Sequence, residues 1–318
     1  MSAAHRYQDL IVTDFHIHFR LEQEGAPRPE AETAAQAAAE ARARQERGGD
    51  YRDEWRMAWD FPEPDGGGGR TWEEEADLWI EHMDRHGIDR INFVTGGGND
   101  ALARVVKRHP GRFSGFAHHD PFAPGAAEEL ERAVTELGLR GLKLIAPRLT
   151  KRIDDPAAHP VWEVAARLGI PVLIHFGMLG AGGGIADNGR CNPADLEPVA
   201  TRFPSVNFVV PHFGIQFVKE LLFLCWACPN VHVDTSGSNQ WVRWMPYPLT
   251  LEDLLHKFME TIGPRRILFG SDSSWFPRGF VLRYLQDQNR ALRLMGVHHD
   301  ELQAIFGGNA RRLIGLPE

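Results

Sequence analysis

Cysteine is scarce in this sequence and offers no basis for a disulfide framework. Three cysteines, Cys191, Cys225 and Cys228, occur among 318 residues. So few thiols in so long a chain are typical of a reducing compartment, and we expect a cytoplasmic location. Cys225 and Cys228 form a CxxC pair, but the pair lies in an apolar helical pattern and no second CxxC accompanies it. We interpret both residues as small, packed hydrophobic side chains.

Long apolar runs and an excess of basic residues are also absent. No window reaches the roughly 20 apolar residues that a transmembrane helix needs, and the polar start, Met1–Asp9, predicts no signal peptide. The 35 basic residues are outnumbered by 43 acidic ones, which gives a net charge of −8. This balance is not that of a nucleic-acid-binding protein. We expect neither a membrane nor a nucleic acid as a partner, and a small molecule as the substrate.

What the sequence does contain is a regular alternation of strand-like and helix-like segments, with 43% hydrophobic residues to build a core. The predicted strands are Leu10–Phe15, Asp89–Thr95, Arg112–Ala117, Leu139–Ala146, Ile170–His175, Val206–His212, Val231–Asp234 and Arg265–Gly270. A final helix over about Asp300–Leu313 is expected to cap the outside. Eight strand–helix units predict an α/β fold with parallel strands, a distorted (β/α)8 barrel that spans residues 1–318 as one domain.

One segment, residues 21–70, interrupts this rhythm after the first strand. It begins with an Ala/Glu/Arg stretch over Pro29–Arg47, continues with aromatic residues, and ends in the glycines of 66–69. The stretch favours a helix but has little apolar face, and the glycines are typical of a flexible connector. We predict an insertion that folds over the barrel mouth as a lid, with a disordered surface insert as the alternative.

Metal-type ligands stand at the ends of several predicted strands. His16 and His18 lie two residues apart, so they face one side of a strand, with Phe15 and Ile17 on the other. His175 ends strand five, and Asp272 follows strand eight. Because the carboxyl ends of barrel strands meet at one mouth, these four residues are predicted to bind one divalent ion, zinc or another ion such as manganese.

These motifs resemble the amidohydrolase superfamily, within it the branch that includes aminocarboxymuconate-semialdehyde decarboxylase. Besides the strand ends, the resemblance rests on short motifs spread along the chain: Val12–His18, His109–Phe113, Gly141–Leu144, Phe269–Asp272 and Gly307–Ala310. It implies a distorted barrel in which His16, His18, His175 and Asp272 hold one ion and His212 lies beside it. Two-metal members carry a bridging carboxylated lysine on strand four. In this chain three residues separate Lys143 from Pro147, so the lysine is expected to lie too deep in the barrel to bridge two ions. A single ion is therefore favoured, and carboxylation of Lys143 stays open.

The expected chemistry follows from an ion-bound water beside an acid–base pair. Asp272 would take the proton of that water as it attacks a carbonyl, and His212 would stabilise the oxyanion or shuttle the proton. Hydrolysis is the leading interpretation, with non-oxidative decarboxylation at the same site as the alternative. In many of the decarboxylases an aromatic residue and a proline directly follow this Asp, whereas this chain continues with Ser273-Ser274-Trp275-Phe276-Pro277, and this difference favours hydrolysis modestly.

Cationic and aromatic residues near the predicted mouth are candidates for binding a small, carboxylated or aromatic substrate. The main candidates are Arg20, Lys143, Arg148, Arg190 and Trp275, and further ones are Arg278, Trp59, Trp241 and Trp244. His118 and His119 follow strand three and face opposite ways, so one of them at most is expected to point inward. The aromatic stretch Trp241–Tyr247 is a possible homodimer surface.

Overall fold

The structure is a computed structural model that describes residues 5–21, 42, 56–178 and 188–317. All eight predicted strands are present, and we number them in chain order. They are β1 Val12–His18, β2 Ile88–Thr95, β3 Phe113–Gly115, β4 Leu142–Ile145, β5 Val172–His175, β6 Phe208–Val210, β7 Val231–Asp234 and β8 Ile267–Leu268. The longest are β1 and β2, and β8 is only two residues long.

The strands close into a barrel, which confirms the predicted fold. Parallel pairing joins β1 to β3 in one sheet and β4 to β8 in another. A bridge between Ala117 and Leu142 connects β3 to β4, and a bridge between Ile17 and Ser273 connects the end of β8 to β1. Because these two seams are short, the barrel is distorted.

Helices follow the strands and form the outer layer. They are α1 Trp72–His86, α2 Asn99–Arg108, α3 Ala126–Thr135, α4 His159–Leu168, α5 Glu197–Arg202, α6 Val218–Ala227, α7 Ser238–Trp241, α8 Leu251–Ile262, α9 Leu282–Leu294, α10 His299–Gln303 and α11 Asn309–Leu313. Local sequence sets some of the boundaries: Thr71 and Glu74 form a capping box that begins α1, and Gly87 ends it in a left-handed conformation. Among the residues described, no helix combines the length and the apolarity needed to cross a bilayer.

Side chains alternate between the barrel interior and the helix layer. The inner set forms one buried cluster with members from six strands or their ends: Phe15, Val94, Phe116, Leu173, Val209 and Leu268. The alternate residues of the strands, such as Val172 and Ile174 of β5, pack in the larger core beneath the helices. The lower barrel is therefore filled with side chains, and among the described residues the open space at the barrel centre lies toward the mouth.

The C-terminal segment closes the amino-terminal end of the barrel. Ala310, Leu313 and Ile314 belong to the inner cluster, and Arg311 contacts Thr13 at the start of β1 through a 3.0 Å hydrogen bond. The predicted helix exists, although a π-helical turn, Ala304–Gly308, separates α10 from α11. The helix caps the barrel, as predicted, and its apolar face packs on the inner cluster at the bottom of the barrel.

Strand β1 departs from strict alternation. Asp14 is paired with Ile91 but Ile17 with Phe93, so three steps on β1 match two on β2. This irregularity places Phe15 in the inner cluster with the barrel residues, not on the helix side as alternation predicts. The strand also continues to His18, three residues beyond the predicted end, because pairing with β2 extends that far.

The predicted inserted lid lies mostly outside the described residues. Its described end, residues 56–70, packs on the segment that follows β8. The ring of Trp59 meets Tyr284 of α9 edge-on at 5.5 Å, and the backbone N–H of Asp65 donates to the carbonyl of Phe276. The end of the insertion is thus anchored beside the barrel mouth, while its role as a lid stays a prediction.

The cysteines are buried as predicted, whereas the stretch proposed as a dimer surface is only partly exposed. All three cysteines are free, buried thiols, and burial raises the pKa of Cys225 to about 12, as expected of packed apolar side chains. Within the stretch proposed for a dimer, Trp241 is 3% exposed and belongs to the core, whereas Tyr247 is half exposed. Trp241 therefore cannot serve as a surface contact, and the dimer stays a prediction.

The close approach of the C-terminal segment to β1 is testable at Gly307. A Cβ atom there would lie 2.3 Å from the carbonyl oxygen of Ile11, a backbone atom that cannot move aside cheaply. We expect Gly307→Ala to lower the free energy of unfolding by about 1–3 kcal/mol. Gly111→Ala is the matched control, because no atom lies within 4 Å of its added Cβ. Urea unfolding measures both, and equal midpoints for the two variants would contradict this packing.

Candidate functional site

A cavity of about 470 Å³ opens at the carboxyl ends of the strands, where parallel barrels place their functional groups. Among its lining residues are the four predicted metal ligands and the predicted proton carrier: His16, His18, His175, His212 and Asp272. The structure therefore brings together all five of the residues on which the predicted chemistry depends.

The centre of this group has the spacing of a metal-binding cluster. One ligand atom from each of His16, His212 and Asp272 lies within 4.8 Å of the others. The Nε2 atom of His18 is 3.2 Å from Oδ1 of Asp272, and that of His16 is 3.9 Å from the same oxygen. Imidazole nitrogens and a carboxylate at these distances are the donors that zinc and similar divalent ions prefer.

His175 lies at the edge of this cluster. Its ring centre is 5.0 Å from that of His212, and its Nε2 atom is 3.3 Å from the backbone carbonyl oxygen of Met178. The residue ends β5, as predicted, and it lines the cavity. Within the described part of the chain, His175 is the one predicted ligand whose Nε2 atom contacts a backbone carbonyl.

Asp234, at the end of β7, orients His16, and sequence reasoning missed it as a site residue. The Nδ1–H of His16 donates to Oδ2 of Asp234 at 2.8 Å, which leaves the Nε2 lone pair directed away from the carboxylate. The hydroxyl of Ser236 donates to the other oxygen of Asp234. The signal was present in the sequence, because β7 also ends in a carboxylate, as a ligand-bearing strand does.

His212 and His18 are held through the same ring position. Nδ1 of His212 donates to the backbone carbonyl of Ser236 at 2.7 Å, and Nδ1 of His18 lies 2.7 Å from the hydroxyl of Thr95. Since Nδ1 is engaged in both rings, Nε2 is the nitrogen available for other chemistry. The backbone of His212 adopts a positive φ of 59°, an uncommon conformation for a non-glycine residue.

Burial favours the neutral form of His16 and His175, and the neighbours of Asp272 favour its ionised form. Burial lowers the pKa of His16 to about 3 and holds the pKa of His175 well below its ordinary value. Burial raises the pKa of Asp272, but the hydrogen bond from His18 and the nearby rings of His212 and His16 outweigh it, so this pKa lies well below the usual range. Neutral imidazoles beside an ionised carboxylate are the protonation states that a cation requires.

His118, at the end of the third strand unit, also lines the cavity. Its Nδ1–H donates to the carbonyl of Lys143 at 2.9 Å, and burial lowers its pKa to about 4. His119 instead points away and contacts the carbonyl of Ala126. The expectation that at most one of these two histidines faces inward is confirmed.

Two of the five predicted substrate-binding residues line the same cavity. Lys143 of β4 is 1% exposed, and Arg148, in the loop after β4, is exposed. Burial lowers the pKa of Lys143 to about 8, although the carboxylates of Asp234 and Asp272 partly oppose this effect. The cavity therefore combines a group of potential cation ligands with two positively charged side chains.

The other predicted substrate residues are not among the described residues that line this cavity. Arg20 and Trp275 line a neighbouring cavity with Glu75, and Leu21 borders both cavities. Arg190 forms part of a short 3-10 turn, Asn188–Arg190, that follows residues outside the described part. Of the aromatic candidates, Trp241 is buried in the core and Trp59 packs on Tyr284, so neither forms a wall of the central cavity. The side chain of Trp244 is outside the described part.

Comparison with known proteins agrees with this geometry. The family model described as "Amidohydrolase" matches residues 13–316, nearly the whole chain, and it confirms the resemblance noted in the sequence. The chain is similar to 2-keto-4-carboxy-3-hexenedioate hydratase from Sphingobium sp. (strain NBRC 103272 / SYK-6), with 26% identity over 264 residues, 68% of this chain and 69% of that protein.

Two decarboxylases are also similar to this chain. The 2-amino-3-carboxymuconate-6-semialdehyde decarboxylase of Dictyostelium discoideum is 36% identical over 78 residues, 24% of this chain and 22% of that protein. A crystal structure of 5-carboxyvanillate decarboxylase from Novosphingobium aromaticivorans, complexed with manganese and a nitrobenzoic acid, superposes with a TM-score of 0.62 at 16% identity and covers 97% of each chain. At this identity the superposition supports the fold.

The buried charge of Lys143 is testable through stability. Its pKa of about 8 in the folded protein lies below its ordinary value of 10.5, so the unfolded chain holds this proton over a wider pH range. Below pH 8 the charge therefore costs folding free energy, up to about 3 kcal/mol, and the cost disappears as the pH rises toward 10.5. We expect Lys143→Met to stabilise the metal-free protein at pH 7 and to lose this advantage by pH 10. Urea unfolding at both pH values measures this difference, and a less stable variant at pH 7 would contradict it.

Proposed function

Because this chain belongs to the amidohydrolase family, we propose that it is a divalent-metal-dependent, non-oxidative decarboxylase of a small aromatic or unsaturated acid. The observation that carries the proposal is the composition of the central cavity. A cluster suited to a cation shares this cavity with two cationic side chains, Lys143 and Arg148. A carboxylate-bearing substrate matches both features, since its oxygens suit the ion and its negative charge suits the lysine and arginine.

The residues at the cluster fit a single divalent ion. Nε2 of His16 is buried and has no hydrogen-bond partner among the described residues, an arrangement that costs free energy unless a ligand such as a metal ion occupies it. We propose His16, His18, His175 and Asp272 as the ligands, with His212 beside them. Zinc is the expected ion from three imidazoles and one carboxylate, and manganese, which is present in the carboxyvanillate decarboxylase structure, is the alternative.

Positively charged side chains would orient the substrate. Lys143 is buried at the cavity wall, so its charge acts through a medium of low dielectric constant and attracts a carboxylate more strongly than a solvated lysine does. Arg148 is exposed and lines the cavity, and its guanidinium could donate two parallel hydrogen bonds to a carboxylate of the substrate. His118 contributes a neutral ring whose Nδ1 already donates to a carbonyl.

Proton transfer would rest on Asp272 and His212. When bound, the ion supplies Lewis-acid polarisation of the substrate oxygens. Asp272, ionised in the free protein, takes a proton from an acidic group of the substrate and delivers it to the carbon that bears the carboxylate. The bond to the carboxylate then breaks, its electron pair stays on the carbon skeleton, and carbon dioxide leaves. Nε2 of His212, which carries a lone pair because Nδ1 holds the proton, accepts a hydrogen bond from a hydroxyl of the substrate beside this carbon.

Decarboxylation takes precedence over hydrolysis because of the relatives. The sequence alone favours hydrolysis modestly, through the residues that follow Asp272, but two of the three relatives described above carry decarboxylase names. Addition of water is the second candidate, because the Sphingobium hydratase matches over a longer stretch than the Dictyostelium decarboxylase does. Both reactions would use the same cluster. In decarboxylation a proton is added to the carbon that loses carbon dioxide, whereas in hydration a water molecule is added to the substrate.

The proposed reaction is testable with a panel of acids. Manganese-loaded and zinc-loaded protein would be incubated with 5-carboxyvanillate and 2-amino-3-carboxymuconate-6-semialdehyde, and carbon dioxide would be measured against loss of the acid. We expect equimolar carbon dioxide from at least one acid. Asp272→Asn is expected to lower kcat/KM by about 10²–10⁴-fold, because the variant cannot carry the proton. Asp100→Asn, whose carboxylate pairs with Arg132 on the outer helix layer, is the control and is expected to match the parent protein.

Product analysis separates the two candidate reactions. A hydrated or hydrolysed product without carbon dioxide would replace decarboxylation by addition of water. Unchanged turnover in Asp272→Asn would remove Asp272 from the proton transfer and contradict the mechanism in either form.

A further inference from the structure

Asp272 has an unusual backbone conformation for a residue that must place a carboxylate accurately. Its φ of 56° lies in the left-handed region, which is unfavourable for a non-glycine residue, although aspartate tolerates it better than most. On its amino side the peptide is fixed, because the N–H of Asp272 donates to the carbonyl of His16 at 2.9 Å. The carbonyl side of the residue needs a second anchor if this conformation is to persist.

Arg278 supplies that anchor. Its Nη2 atom donates to the carbonyl oxygen of Asp272 at 3.1 Å and to the hydroxyl of Ser274 at 3.3 Å. The guanidinium carbon also lies 4.6 Å from the ring centre of Trp275 and 5.1 Å from that of Phe61. Two aromatic rings and two hydrogen bonds therefore fix the guanidinium plane relative to the turn that carries Asp272.

Arg278 lies behind the site and does not face the substrate. It lines a separate surface cavity with Phe61, Pro277 and Phe280, and within the described residues it is not part of the wall of the central cavity. Its contact with the site runs through the backbone of Asp272. Phe61 belongs to the described end of the insertion, so the insertion contacts the acid of the site through this arginine.

We propose that Arg278 is a positioning residue that holds Asp272 in its left-handed conformation, and that the end of the insertion supports it through Phe61. The proposal rests on the proposed function, because it assigns Asp272 to the metal and to the proton transfer. Loss of the guanidinium would let the Asp272 turn relax, so the carboxylate would lie less often at the position where His18 and His16 meet it. Metal affinity and kcat would both fall, while substrate binding by Lys143 and Arg148 would persist.

Four variants test this role. Arg278→Met removes the donor but keeps an unbranched apolar stem, Arg278→Lys keeps the charge, and Phe61→Leu removes one aromatic ring without touching the hydrogen bonds. Arg283→Met is the matched control: this arginine also lies over an aromatic ring, 4.7 Å from the centre of Trp59, but it pairs with Asp287 instead of Asp272. The affinity of the metal-free protein for Mn²⁺ is measured by electron paramagnetic resonance of the free ion, alongside kcat and KM for the acid that yields carbon dioxide.

The expected pattern is specific to a positioning role. Arg278→Met is expected to weaken Mn²⁺ binding and to lower kcat by about 10–100-fold each, with KM within about twofold of the parent protein. Arg278→Lys is expected to recover part of both losses, Phe61→Leu to show smaller losses in the same direction, and Arg283→Met to match the parent protein. Circular dichroism and thermal unfolding establish that each variant is folded, and if Arg278→Met is not, the lysine and leucine variants decide the question.

Other outcomes overturn the proposal. A higher KM with unchanged kcat and Mn²⁺ affinity would make Arg278 a substrate-binding residue, and parent-like values in Arg278→Lys and Phe61→Leu would show that neither group positions Asp272. Failure of the parent protein to bind Mn²⁺ or to release carbon dioxide would instead contradict the proposed function. The Arg283→Met control separates a general loss of stability from an effect on Asp272.

Discussion

The seam between β8 and β1 joins the two ends of the chain and assembles the site. The N–H of Asp272 donates to the carbonyl of His16, and the N–H of His18 donates to the carbonyl of Ser273. These two hydrogen bonds place the carboxylate from the end of the barrel beside two imidazoles from its beginning. Without closure of the barrel, the residues of the cluster would lie far apart, because nearly the whole fold separates them along the chain.

This closure also forces polar groups into a buried environment, and a network of partners offsets the cost. Asp234 accepts from His16 and from Ser236, while His212 donates to the carbonyl of Ser236. The network fixes the tautomer of each ring and leaves the Nε2 atoms of His16 and His212 for a ligand. Lys143 remains the unbalanced group, since its lowered pKa indicates a charge that the fold tolerates at the expense of stability. Such a cost is typical of a site shaped for a substrate rather than for packing.

The sequence predicted the barrel and the cluster because both depend on local patterns. Apolar runs that end in His175, His212 or Asp272 mark strands whose carboxyl ends share one mouth, and the structure places these residues together. The sequence could not predict the irregular pairing of β1 that turns Phe15 inward, because this pairing depends on contacts with β2. The sequence marks Asp234 as a carboxylate at a strand end and Arg278 as a candidate for substrate binding, but it does not predict their contacts with His16 and Asp272, which appear only in the folded chain. Local sequence periodicity therefore predicts the fold, whereas the contacts that orient the site residues become visible only in the structure.

The central claim is that side chains from β1, β5 and β8 converge on one cation. Anomalous diffraction at the manganese edge, from crystals of the protein equilibrated with Mn²⁺, tests it most directly. The account predicts one peak at the barrel mouth, within about 2.0–2.3 Å of Nε2 of His16 and of His18, a nitrogen of His175 and a carboxylate oxygen of Asp272. A mouth without an anomalous peak, or an ion bound by other residues, would contradict it.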